Sequence, residues 1–378
     1  MPMFLDDEQA MLQDTTRAFV ESAAPVSHLR ALRDGDDPRG WSAEVWAAFT
    51  EMGFPGILIA EDLGGLGLGA VEAGIVLEQI GRNLTPSPFL STAVGAAVAL
   101  RDAGAELKRR WLPGLADGSV TAAMAIDEGA RHRPEQIAMF ARRAGEGFVL
   151  SGEKRLVISG HVADLLIVVA RTSETPGSTQ GLTLFAVERD QAGVSVTTDR
   201  LADSSLSSRI IFEDLVVAAD AVIGEVDGGW SVLGPVLDHL RTGAAAELSG
   251  VASAAMDRTF RYLKERLQFG QIIGTFQALQ HRAAHLYAEA EVASAAVLKA
   301  QQLLDAADPR AHSAAMVAKA QAGMVATLAV QEAVQMHGGI GMTDEYDIGL
   351  FMKRARVLGE LYGDADELAD RLARLSSF

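Results

Sequence analysis

Three long stretches without an internal proline, Ala244–Glu265, Gln277–Ala307 and Ala311–Met336, constrain this chain more than any other feature. They are rich in alanine, and helices of that length with small-residue faces bury themselves against one another as a bundle. Upstream the pattern changes. From Leu112-Pro113-Gly114 to about Gly224, β-branched runs are separated by Ser-Gly, Pro-Gly-Ser and Ala-Gly breaks. The runs are Phe148-Val149-Leu150, Leu156-Val157-Ile158, Leu165–Ala170, Leu182–Val187, Val194–Thr197 and Ile210–Phe212. Strands spaced this closely leave little room for crossover helices, so an antiparallel barrel or sandwich is expected.

The first part of the chain is helical again. Leu5, Met11, Leu12, Ala18 and Phe19 recur at helical spacing, and Trp41–Met52 repeats the pattern with Ser42 as N-cap. Val71–Ile80 and Leu90–Arg101 read as further helices. The expected class is α+β, with an N-terminal helical domain over residues 1–119. A middle β domain over 120–225 and a C-terminal four-helix bundle over 226–378 complete it.

Composition narrows the function. The 378 residues include 33 Lys and Arg against 50 Asp and Glu, a net charge of −17, with 49% hydrophobic and 22% charged residues. This is the profile of a soluble globular protein of two or three domains. An acidic surface without a basic run repels phosphate backbones, so no nucleic-acid partner is expected. With no cysteine, disulfides, thiolate metal sites and a cysteine nucleophile are excluded. Asp6, Asp7 and Glu8 stand where a secretory signal would carry positive charge. The most apolar stretch, around Thr92–Leu100, is shorter than the roughly 20 residues a bilayer requires. The expectation is a cytoplasmic protein with no membrane partner.

Two motifs mislead. Gly65-Leu66-Gly67-Leu68-Gly69-Ala70 has the G-x-G-x-x-A spacing of a dinucleotide fingerprint, but Glu61-Asp62-Leu63-Gly64 precedes it instead of a strand. A flexible glycine loop between helices is expected. His281 and His285 have the i, i+4 spacing of metal ligands, yet no third ligand is identifiable, so they read as surface histidines and no metal is expected. Asp34–Asp37 reads as a solvated loop.

Two C-terminal segments are stranger. In Tyr262-Leu263-Lys264-Glu265-Arg266-Leu267-Gln268-Phe269-Gly270-Gln271, followed by Phe276-Gln277 and Gln280-His281, one helix stops and another starts within a few residues. Arg266 beside that break suits an anion clamp, since a guanidinium fork reaches paired phosphate oxygens, or is a surface arginine beside a C-capping glycine. In Val334-Gln335-Met336-His337-Gly338-Gly339-Ile340-Gly341-Met342-Thr343, followed by Glu345-Tyr346, clustered glycines end a helix and let a ligand approach the backbone, or form an unusual cap.

Together the two segments resemble the two C-terminal signatures of the acyl-CoA dehydrogenase family, R-x-x-F-G…F-Q-x-x-Q-H and Q-x-H-G-G-x-G-x-x-x-E-Y. The resemblance extends to Leu5-Asp6-Asp7-Glu8-Gln9, Glu61–Gly67, Gly152-Glu153-Lys154 and Ile223-Gly224-Glu225. It implies a mostly tetrameric FAD enzyme that introduces a Cα–Cβ double bond into an acyl-CoA, with electron-transfer flavoprotein as acceptor. In such enzymes a carboxylate takes the Cα proton and a hydride passes from Cβ to the flavin, in a site that excludes water and stabilises an enolate. It further implies that Arg266, Phe269, Gln277, Gln335, Gly338 and Gly339 reach the FAD of a neighbouring subunit.

The chain departs from the family where the chemistry occurs. The catalytic glutamate that precedes a glycine near the C-terminus matches Tyr362, in Leu361-Tyr362-Gly363-Asp364, and its second family location matches Leu240, before Arg241. Leucine takes no proton, and a tyrosine with an ordinary pKa of about 10 is mostly protonated at neutral pH. Asp364, Glu360 and Asp238 are the remaining carboxylates, with Arg241 in support. The flavin-facing T-E-P-G-A-G-S run matches Asp127-Glu128-Gly129-Ala130-Arg131-His132-Arg133, and W-I-T/S matches Leu156-Val157-Ile158, with Ser159 one residue on. Polar edge atoms of a flavin ring buried unpaired cost roughly 1–3 kcal/mol each. Loss of the base and of the chain's own flavin contacts, with the contacts to a neighbour kept, resembles the small or β subunits of α2β2 members, as does the stretch around Met342 and Leu361–Asp366. The alternatives are a homotetramer with a relocated carboxylate base, and a flavin monooxygenase or oxidase on the same fold.

Overall fold

The computed structural model describes residues 4–173 and 177–376. The chain divides into two compact units.

One unit comprises Leu32–Gly69 and Pro86–Leu240. Its centre is an eight-stranded sheet of β1 (Ala122–Ala125), β2 (Phe140–Ala144), β3 (Gly147–Ile158), β4 (Leu165–Arg171), β5 (Leu182–Glu188), β6 (Val194–Arg200), β7 (Leu206–Val217) and β8 (Val222–Ile223). The strand order is β6-β7-β3-β2-β4-β5-β8, with β1 paired to β4. Most neighbours are antiparallel, but β1 and β2 both run parallel to β4. The wholly antiparallel expectation is therefore corrected: the β2–β3 hairpin carries the chain back before β4, so a parallel pair forms without a crossover helix. β4 is buried along its whole length. Leu150, Val157, Val168, Phe185, Ile210 and Phe212 form the core, with Phe148 and Phe185 edge to face at 5.2 Å.

Outside the sheet, Ser42 caps the Ala43–Glu51 helix as expected, accepting from Val45 N. The helix expected over Leu90–Arg101 is present over Leu90–Leu100, but its first part, Leu90–Ala96, is π-helical and only Ala97–Leu100 is α-helical. Thr92 Oγ1 engages both Ala122 N and Ala122 O of β1, at 2.9 and 3.2 Å, tying the widened turn to the sheet. The Gly65–Gly69 segment is a corrected expectation too. It is not a flexible loop: Leu66 N, Gly67 N and Leu68 N donate to Gly56 O, Ile59 O and Ile57 O at 2.8–2.9 Å. A Cβ at Gly65 would overlap the Ile59 carbonyl.

The second unit comprises the chain up to Ala31, Ala70–Thr85 and everything from Arg241 onward. Asp6 opens the Asp7–Ala23 helix with a capping box, accepting from Gln9 N while the Gln9 side chain accepts from Asp6 N. The Ala70–Asn83 helix has its first amides, Ala70 N and Val71 N, donating to the Asp305 carboxylate. Gln277–Asp305, Ala311–His337, Ile348–Glu360 and Ala365–Leu375 pack as a bundle, which the later part of Gly229–Glu265 joins through Glu247 to Arg354 and Tyr262 to His337. Ala311–Met342 is long and apolar enough to cross a membrane by length and composition, which the sequence reading did not single out, and half of its most apolar 18 residues are buried within the fold.

Close helix packing here rests on glycine. A Cβ at Gly81 would overlap Glu247 O, and one at Gly250 would overlap Glu78 O. Gly81→Ala is expected to cost about 1–3 kcal/mol through overpacking. A urea midpoint equal to that of the wild type would show that the two helices can part without cost.

Candidate functional site

The break between the two long helices is a hairpin, not a capped helix end. After Glu265, Leu267-Gln268 pairs with Gln271-Ile272, leaving Phe269 and Gly270 as a two-residue turn at φ 54° and 79°. Two consecutive positive φ values are what a type I′ hairpin needs, which accounts for Gly270 but places a bulky aromatic in a region it rarely occupies. Phe269 is 87% exposed. Arg266 is exposed at the base of the hairpin, and Gln277 is exposed at the first position of the next helix.

The second segment packs against the helix that leads into this hairpin. His337, the last residue of its helix, turns inward between Tyr262 and Tyr346, with ring centroids 4.4 and 4.6 Å away. Burial lowers the His337 pKa, so the ring is neutral: Nδ1–H donates to Ala333 O at 2.7 Å and Nε2 accepts from the Tyr346 hydroxyl at 3.1 Å. Arg30 grips Asp344 and Asp347 on the following turn. With the histidine fixed, Gly338 and Gly339 lie exposed, and a Cβ on either would meet nothing within 4 Å. Gln335 is exposed on the turn before them.

These six residues therefore share one property. Arg266, Phe269, Gln277, Gln335, Gly338 and Gly339 are all exposed, and among the described residues the side chains of Arg266, Gln277 and Gln335 make no hydrogen bond within the chain. Open diglycine backbone, amide donors, a guanidinium and an aromatic ring suit the phosphates and adenine of a dinucleotide, so this half fits FAD.

The positions that the resemblance assigns to the base are filled otherwise. Tyr362 is 8% exposed at φ 61°, with Gly363 following at φ 108°. Arg241 Nε donates to Tyr362 O at 3.0 Å, and Lys319 Nζ donates to Gly359 O and Gly363 O at 2.9 and 3.2 Å. Asp364 is spent as a helix N-cap, its carboxylate accepting from Glu367 N at 2.9 Å. Glu360 is exposed and paired with Arg356 at 2.9 Å. Leu240 is fully buried, close enough to Gly95 that a Cβ there would approach its Cδ2 to 3.1 Å. Asp238, two residues earlier, is also buried.

In the sheet unit, β3 carries a bulge between Lys154 and Val157, with Leu156 at φ 53° and 40% exposed. The adjoining loop is held there, because Arg155 N donates to Asp127 O at 2.7 Å. Lys154 is fully buried and donates to Ile126 O at 2.9 Å and Glu128 Oε1 at 2.7 Å. Burial pushes the Lys154 pKa down while Glu128 pulls it up. Glu128 also accepts from Ala138 N and Met139 N, and Asp127 accepts from His132 Nδ1 at 2.9 Å. Both carboxylates are thus committed to the loop itself. What remains on display is Leu156, half-buried Ile158 and the exposed Arg131 and Arg133. The only hydroxyl adjoining Leu156–Ile158 in sequence is that of Ser159, itself buried, so this surface does not fit the ring as the helical unit fits the rest.

Glu128→Ala would leave Lys154 with one partner, and about 3 kcal/mol should be lost, the low end for breaking a buried pair because Glu128 is partly exposed. A Glu128→Met, Lys154→Met double variant should recover part of that. A double variant weaker than the single in urea unfolding would refute this account.

The sequence reading brought Arg241 forward but missed Lys319, Glu128 with Lys154 as a pair, and the Tyr262–His337–Tyr346 stack. A lone lysine inside an Ala-rich apolar run was the available signal for Lys319. His281 and His285 are both exposed, and among the described residues no group of three or more His, Asp or Glu could hold a metal.

Comparison with known proteins gives the following. Residues 6–119, 122–215 and 227–375 match the acyl-CoA dehydrogenase N-terminal, middle and C-terminal domains, respectively. The chain is 32% identical to acyl-CoA dehydrogenase FadE12 of Mycobacterium tuberculosis over 84% of its length and 83% of that protein. It is 30% identical to cyclohex-1-ene-1-carbonyl-CoA dehydrogenase of Syntrophus aciditrophicus, over 96% and 88%. Among solved structures, a variant of the Tcur3481–Tcur3483 steroid ACAD superposes with a TM-score of 0.88 at 30% identity, covering 98% of each chain.

Proposed function

Since this chain belongs to the acyl-CoA dehydrogenase family of FAD-dependent oxidoreductases acting on CH–CH bonds, we propose that it is the base-lacking subunit of a hetero-oligomer. In this reading it completes the FAD site of a glutamate-bearing homologue, in an α2β2 tetramer that desaturates an acyl-CoA and passes electrons to an electron-transfer flavoprotein. The observation that carries the reading is the contrast within one chain: an outward-facing set of dinucleotide donors is intact, while Tyr362 and Leu240 hold the base positions. Asp364 and Glu360, the nearest carboxylates in sequence, are engaged as a cap and an ion pair.

FAD, when bound, supplies the acceptor for the hydride that leaves Cβ. This chain's part is binding: Arg266 as a fork for phosphate oxygens, Gln277 and Gln335 as amide donors, Phe269 as a lid, and Gly338-Gly339 as a backbone surface that a ligand can touch. The two-part name of the steroid ACAD supports a division of labour between chains.

The test is to purify the chain alone and together with a glutamate-bearing homologue. Alone, it should retain far less than one FAD per chain, and acyl-CoA should not bleach what remains. With the homologue, flavin and activity should return together. Full occupancy and bleaching of the isolated chain would instead establish a self-sufficient homotetramer.

A further inference from the structure

The Ala311–His337 helix carries a lysine in its apolar interior. Lys319 is 1% exposed among alanines and donates to Gly359 O and Gly363 O, the two ends of the turn that holds Tyr362. Arg241, 2% exposed on a different helix, donates to Tyr362 O between them. Three carbonyl oxygens of one short turn therefore point at two buried cations. The turn needs them, because Tyr362 at φ 61° sits where a bulky residue stays only when its surroundings over-determine the backbone.

We propose that Lys319 is a positioning residue: acting with Arg241, its ammonium fixes the 359–363 turn so that the side chain at 362 projects in one direction, and discharge of the ammonium releases that turn. The inference needs only the turn and stands apart from the reading of how FAD is shared.

Burial, and then the like charge of Arg241, lower the Lys319 pKa to about 7. Glu360 from the preceding helix, Asp364 at the cap and Glu367 of the last helix act in the opposite direction. These, with Arg241, are the charged groups found to act on it among the described residues. Below about pH 7 the amine is charged and its two bonds are charge-assisted; above it they weaken to neutral ones. The geometry of position 362 thus becomes sensitive to pH at neutrality, although tyrosine itself titrates far higher.

The test uses the full chain labelled with ring-13C tyrosine, which keeps the ordinary phenol pKa, so that its four tyrosines give four sets of resonances, with that of residue 362 assigned by Tyr362→Phe. In the wild type the 362 resonance should move with a midpoint near pH 7. In Lys319→Arg, which stays charged, it should keep its acidic position through that range. In Lys319→Met it should be shifted or broadened at every pH. Three outcomes would each overturn the proposal: a flat 362 resonance in the wild type, a neutral-pH transition that survives in Lys319→Arg, or a Lys319→Met spectrum identical to wild type. Should Lys319→Met fail to fold, the Lys319→Arg comparison decides alone.

Discussion

Arg266→Ala, introduced only into this chain, should empty a partner's FAD site if the chain completes that site as proposed. Arg266 is exposed and, among the described residues, its side chain makes no ion pair or hydrogen bond, so its removal should leave the fold and its melting temperature unchanged. What it removes is a charge-assisted hydrogen-bonding fork. Hydrogen bonds to charged groups contribute about 1.5–3 kcal/mol, which is about a 10–150-fold loss of FAD affinity. In a co-purified complex that loss appears as flavin washing out on dilution. Arg266→Lys should recover the charge but not the paired geometry, and so fall between. A complex that keeps one flavin per site after Arg266→Ala would remove the main support for sharing in trans.

The second large effect is a null followed by a gain. Tyr362→Glu alone should leave the isolated chain unable to bleach flavin, because Leu156 and Ile158 still offer the ring no polar partner. Tyr362→Glu combined with Leu156→Trp and Ile158→Thr should yield a chain that holds FAD and is bleached by an acyl-CoA. A positioned general base contributes about 10²–10⁴-fold, and that is the scale of the expected difference between the triple variant and the same variant with Tyr362 restored. The carboxylate would enter a turn already held by Lys319 and Arg241, whose charges favour its ionised form. Bleaching by the single Tyr362→Glu variant would show that the chain seats a flavin unaided.

The helical and β order could be read from periodicity because each long helix is Ala-rich and uninterrupted, and because Asp6 and Ser42 cap locally, through bonds to residues three positions on. The outward-facing set was legible through its motifs, but its exposure was not, since that depends on which way Phe269 and Arg266 leave the hairpin. Gly270 read as a helix cap because the short strands on either side have no alternating pattern to reveal them. The π-helical turn, the parallel pairing of β1 with β4 and the rigidity of Gly65–Gly69 all come from contacts distant in sequence, which local propensity does not encode. Lys319 stayed hidden for the same reason: its partners lie 40 and 44 residues further along the chain.

The hairpin tip also sets a condition on supply. Phe269, Leu267 and Ile272, exposed together on this hairpin, give a chain made without a companion a sticky knob. If a companion subunit covers it, as proposed, synthesis in excess of that companion would leave the knob bare to self-association and to proteases, and matched production of the two polypeptides is the arrangement under which this hairpin is harmless.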